Sequence, residues 1–159
     1  MKRRTRVLPP EVLLEEYRHL LETEQNIGAL PLIISGSSMT PFLVHGRDTV
    51  YLSRLERPVR RGDVLLYQRR DGTYVLHRVY SVEQDSYTMV GDAQTELEPG
   101  IRREQMIAIM TSALRKGKRQ APGCFWWEFF EKIWIRMVPM RRTVWNGYSG
   151  LKRLFDFSG

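Results

Sequence analysis

Near the start of the chain the apolar residues Val12, Leu13, Leu14, Tyr17, Leu20 and Leu21 recur at three- and four-residue spacing. That period gathers them on one face, and it predicts a short amphipathic helix from Pro10 to about Gln25. Pro10 suits a first helical turn, and Asn26-Ile27-Gly28 is a natural stop. From 29 to 118 the texture changes to short β-branched and aromatic runs split by turn residues, the signature of a small, mainly antiparallel β domain. Strands are expected over 49–53, 64–68, 73–82, 87–90 and 106–112. Arg70-Asp71-Gly72 is expected to close a hairpin, because Asp-Gly tolerates the positive φ that tight turns require.

Beyond Arg115-Lys116-Gly117-Lys118-Arg119, read as a basic link, the pattern shifts again, and all four tryptophans (Trp126, Trp127, Trp134 and Trp145) lie in the last third. The stretch 125–138 is apolar nearly all round, and Pro139 is expected to break or kink it. Val144, Tyr148, Leu151 and Phe155 follow at helical spacing. Three parts result: an N-terminal basic segment and helix (1–28), a β domain (29–118) and an aromatic, basic helical tail (119–159).

Composition narrows the function classes. A chain of 159 residues is one compact domain with appendages, and its single cysteine, Cys124, can form neither an intrachain disulfide nor a cysteine-based metal site. Neither a metal-ligand cluster nor a phosphate-binding glycine loop is present, so no cofactor is expected. The net charge of +7 points to an anionic partner, nucleic acid or lipid. The basic start is not a signal peptide, since Pro9, Pro10, Glu11, Glu15 and Glu16 interrupt the apolar run that should follow. A cytoplasmic protein is therefore expected, with residues 125–157 offering aromatic and basic side chains to an anionic membrane surface. The rings concerned are Phe125, Trp126, Trp127, Phe129, Phe130 and Trp134, with Arg136, Arg141, Arg142, Lys152 and Arg153 as the cations. The opposing reading packs the same rings against the β domain or against a second copy of the chain.

One stretch carries candidate chemistry. Ser35-Gly36-Ser37-Ser38-Met39-Thr40-Pro41 leaves an apolar run and enters a turn. A nucleophilic serine needs an exposed hydroxyl, small neighbours and free backbone N–H groups beside it. A serine-rich turn bonding only its own backbone would look the same. A base must come from elsewhere, and His77 is the histidine set in a patterned strand, Tyr74-Val75-Leu76-His77-Arg78-Val79. Alternation puts Val75, His77 and Val79 on one face, whose apolar character keeps the imidazole neutral at pH 7 and able to accept a proton.

Together with Gly46-Arg47-Asp48, Arg61-Gly62-Asp63-Val64-Leu65, Leu76-His77-Arg78-Val79 and Gly91-Asp92-Ala93-Gln94, taken in that order, this stretch resembles the superfamily of signal peptidase I and the self-cleaving LexA-type repressors. The resemblance implies a serine peptidase with Ser38 as nucleophile and His77 as base, His77 standing where many relatives carry lysine. It implies Asp92 or Glu98 as the group that orients the histidine, Glu98 standing where relatives of the histidine type have aspartate. The oxyanion would rest on the N–H of Ser38 with help from Ser35 or Ser37, while Gly36 and Met39 complete the binding turn. The implied substrate is a peptide or protein cut after a small residue and bound as an added strand. Two other classes compete: a catalytically inactive, peptide-binding relative, and a basic nucleic-acid-binding module. Against the latter, the arginines are scattered and no helix carries a basic stripe.

Overall fold

The computed structural model describes residues 10–23, 28–141 and 143. The basic start (1–9), the stop at 24–27, and Arg142, Trp145, Tyr148, Lys152, Arg153 and the rest of 144–159 lie outside the described residues. Helix α1 spans Pro10–Thr23. Eight strands follow: β1 Leu30–Ile33, β2 Thr49–Ser53, β3 Val64–Gln68, β4 Tyr74–Val82, β5 Tyr87–Val90, β6 Glu98–Ile101, β7 Met106–Arg115 and β8 Lys118–Gln120. They form one antiparallel sheet in the order β1-β2-β7-β3-β4-β5-β6, with β8 paired to β7. The protein is mainly β, with a helix before the sheet and an aromatic helical segment after it.

Strand β3 shows why these residues form the sheet's centre. It lies between β7 and β4, and Val64, Leu65, Leu66 and Tyr67 are all buried, because a central strand has both faces covered. Alternation then divides its side chains. Val64 and Leu66 join Phe42, Leu52, Met110 and others in one core cluster, while Leu65 and Tyr67 join Val79, Met89 and Ile109 in the second. The β3–β4 hairpin turns at Asp71-Gly72 as expected, with Gly72 at φ 89° and the Asp71 carboxylate accepting the Thr73 N–H at 2.9 Å.

One expectation needs correction. The basic stretch at 115–119 is not a link. Lys116 and Gly117 take φ values of 52° and 73° and turn β7 into β8, so the sheet continues to Gln120, past the boundary set at 118. The run that leads to Pro139 is not one regular helix. Helix α2 (Phe125–Glu128) runs on through a wide π turn, Phe129–Ile133, and a tight 3-10 turn, Trp134–Met137, so regular α geometry has already ended. Pro139 then falls at the start of a new helical turn, where its missing N–H leaves no bond unmade.

The tail packs on the β domain. Trp127 and Phe130 are buried against Phe42, at ring-centroid distances of 6.2 and 4.8 Å, and Trp134 packs beside them. Burying rings of this size contributes about 2–3 kcal/mol each. Of the rings expected at a membrane, Phe125 and Trp126 remain exposed, at 72% and 43%. Among the described residues no helix is long and apolar enough to cross a membrane.

Candidate active site

Ser38 opens the turn that follows β1. The chain leaves the sheet at Ile34, whose N–H still bonds the Asp48 carbonyl at 3.0 Å, and passes through Gly36 at φ 87°. Only glycine adopts that conformation without strain, and it lets the Gly36 N–H reach His45 Nδ1 at 3.0 Å. Met39 and Phe42, buried in the first core cluster, anchor the far side of the turn. Ser38 therefore stands on a short segment fixed at both ends.

His77 comes from β4, directly opposite Leu65 on β3. Ser38 and His77 line one cavity of about 250 Å3, together with Ser35, Gly36, Met39 and Gln94. Ser37 is exposed outside that lining. Ser38 and His77 share the cavity without a hydrogen bond between their side chains.

The two acids part company. Asp92 is fully buried and turns both oxygens to Arg78, at 2.8 Å from Nε and 2.8 Å from the terminal nitrogen. It braces the structure beside the histidine and makes no hydrogen bond to it. Glu98 faces His77 instead, with Oε2 3.8 Å from Nδ1. Tyr67 bridges the gap: its hydroxyl donates to Glu98 Oε2 at 2.7 Å and lies 3.3 Å from His77 Nδ1. Arg69 holds the same carboxylate through two bonds of 2.6 and 2.7 Å, and this contact keeps Glu98 below the ordinary carboxylate range.

Electrostatics follow from this geometry. Burial is the main reason that His77 falls to about 4, with Arg69 pushing the same way and Glu98 and Asp92 opposing. The imidazole is thus neutral at pH 7. Since the Tyr67 hydroxyl proton is committed to Glu98, the Tyr67 oxygen accepts the proton of His77 Nδ1. Nε2 is left with the lone pair. Burial and the neighbouring carboxylate raise Tyr67, so it remains a donor across the physiological range.

Several members of this site were not singled out from the sequence. Tyr67 and Arg69 follow from the hairpin: once the turn is set at Asp71-Gly72, Tyr67 lies diagonal to His77 on the same face. Arg78 carried no such signal, and neither did the tail's contribution. Arg141 is wholly buried and donates to the carbonyls of Gly91 (3.0 Å), Gln94 (2.9 Å) and Trp134 (2.9 Å), while its Nε is unpartnered. Burial lowers its pKa to about 10. The Trp134 indole donates to the Asp92 carbonyl at 2.8 Å. The 91–94 turn held in this way gives the Ala93 N–H to the Ser38 carbonyl at 2.8 Å. A Cβ added at Gly91 would sit 2.5 Å from that same carbonyl oxygen, so no side chain fits there.

Among the described residues no group of three or more His, Cys, Asp or Glu is placed to hold a metal ion. Comparison of the chain with protein-family models, with curated proteins and with solved structures finds no match.

Proposed function

We propose that the protein is a serine endopeptidase that uses Ser38 as nucleophile and His77 as general base. The observation that carries this reading is that a serine on a braced turn and a buried, neutral histidine from a different strand line one cavity. In the reaction, His77 Nε2 takes the hydroxyl proton as Ser38 Oγ bonds to the peptide carbonyl carbon. The proton then passes to the leaving amine as the C–N bond breaks, and water releases the acyl group by the same route in reverse. Glu98, through Tyr67, holds the ring tautomer and sits where the transient imidazolium needs a negative charge. General base catalysis of this kind contributes about 10²- to 10⁴-fold.

The sheet edges support a peptide substrate. Pro31 O bonds α1 and Ile34 N bonds β2's flank, so by ladder alternation the main-chain groups of Ile33 turn away from β2. On β4, Val79 bonds toward β3, so Tyr74 and Leu76 turn their main-chain groups away from it, and pairing with β5 starts only at Arg78. An extended peptide lying between these two edges would find partners on both sides.

Replacing Ser38 with Ala is expected to abolish both cleavage of peptides with a small residue before the cut and labelling by a fluorophosphonate, with unchanged circular dichroism. Equal turnover by the variant would end the proposal. The missing Ser38–His77 hydrogen bond favours a second reading, a module that binds peptides without cutting them. Peptide binding by a wild-type protein that neither labels nor cleaves would select that one.

A further inference from the structure

A second, larger cavity of about 910 Å3 adjoins the first. Ile34, Ser35, Tyr74 and Leu76 line both, so the two meet along a shared groove wall. The larger arm is apolar, walled by Leu14 and Tyr17 of α1, Leu32 of β1 and Leu66 of β3. Helix α1 ties its two sides together. The Tyr17 hydroxyl donates to the Pro31 carbonyl on β1, the Tyr74 hydroxyl of β4 donates to Glu15, and Arg18 donates to Gln68 of β3 at 2.8 Å.

These bonds limit what a peptide can do in the groove. Pro31 has no N–H, and its carbonyl is taken by Tyr17, so past Ile33 the β1 edge offers a peptide no further main-chain partner. On the opposite wall Tyr74 precedes His77 by three residues, which is about 10 Å of extended chain. Main-chain pairing therefore stops after roughly that length, and side-chain burial must supply any further recognition.

We propose that α1 is a specificity element of the peptidase site. Leu14 and Tyr17 form the roof of a pocket for bulky apolar side chains that begin three to four residues from the scissile bond, on the side of the substrate running toward α1. This inference rests on the peptidase reading of Ser38 and His77 for its register, but the pocket can be tested by binding alone.

The test uses full-length protein and peptide pairs that differ only by Leu or Ser three or four residues from the cut, on either side. Cleavage and fluorescence anisotropy are both read. Burying one Leu side chain predicts a preference of about tenfold or more for the Leu peptide on one side of the cut. Leu14→Gln should reduce it to about threefold or less. Thr73→Trp, made at the exposed hairpin turn and away from the core, should block the pocket from its other wall and remove the preference even if Leu14→Gln does not fold. Equal handling of each pair by wild type, or a Leu preference that survives both substitutions, would overturn the proposal. Absence of labelling and cleavage in wild type would instead count against the peptidase reading, and the anisotropy pairs would still decide the pocket.

Discussion

Lowering the pH from 7 to 5 perturbs His77 in a way whose size can be worked out. The ring is 3% exposed, and its pKa drops from 6.5 to about 4 on folding. Between those two values the unfolded chain binds a proton that the folded protein refuses, so stability falls as pH falls through this window and levels off below pH 4. The full shift, 6.5 − 4 = 2.5, corresponds to about 3 kcal/mol. Weighting both states by their proton occupancy at pH 7 and pH 5 gives a loss on the order of 2 kcal/mol. Urea unfolding of wild type and His77→Gln at the two pH values isolates the contribution, since other groups titrate in both proteins. Wild type should lose on the order of 2 kcal/mol more than the variant. The acid limb of kcat/KM should lie near pH 4, because the base is competent wherever the ring is neutral. Parallel losses in the two proteins, or a His77 proton resonance titrating at 6 or above, would refute the reasoning.

Gly91→Ala places a methyl group against the Ser38 carbonyl; Ser38 labelling should slow at least about tenfold, with a stability loss of about 1–3 kcal/mol by denaturant titration. Arg141→Met removes the guanidinium donor from three carbonyls, of which Gly91's keeps the Gln94 N–H, and should cost about 3 kcal/mol and raise hydrogen exchange at 91–94 and at the Ser38 turn while β3 and β7 stay protected. Trp127→Ala should cost about 3–5 kcal/mol and the neighbouring Trp126→Ala about 1–2, because one ring is in the core and the other lies half-exposed over Phe130 and Arg115. Equal effects of the two tryptophan substitutions would contradict the packing of the tail.

Strands with regular alternation are legible from residue pattern alone: β2, β3 and β5 occupy the expected residues, and β4 and β7 differ only at an end. The strands that escape such a reading have compositions that local preference disfavours. β1 contains Pro31, β6 contains Pro99-Gly100, and β8 is three basic and polar residues whose pairing depends on the turn at 116–117. Each is held by tertiary pairing rather than by its own propensity. The candidate site divides in the same way. Ser38 and His77 can be found because a turn and a strand advertise them. Whether Asp92 or Glu98 faces the ring depends on long-range pairing: Arg78 neutralises the first, and Tyr67 carries the second to Nδ1. The tail reads as equally suited to lipid or protein, since aromatic content alone does not say which surface it covers.

Arg141 also sets an order of events during translation. A ribosome that has released the chain only through β8 has already delivered Ser38, His77, Tyr67 and Glu98, yet the guanidinium that fastens the 91–94 turn is still to be added. Before Arg141 emerges the 91–94 turn lacks that fastening, and the helical turn that carries Arg141 is the latch that supplies it.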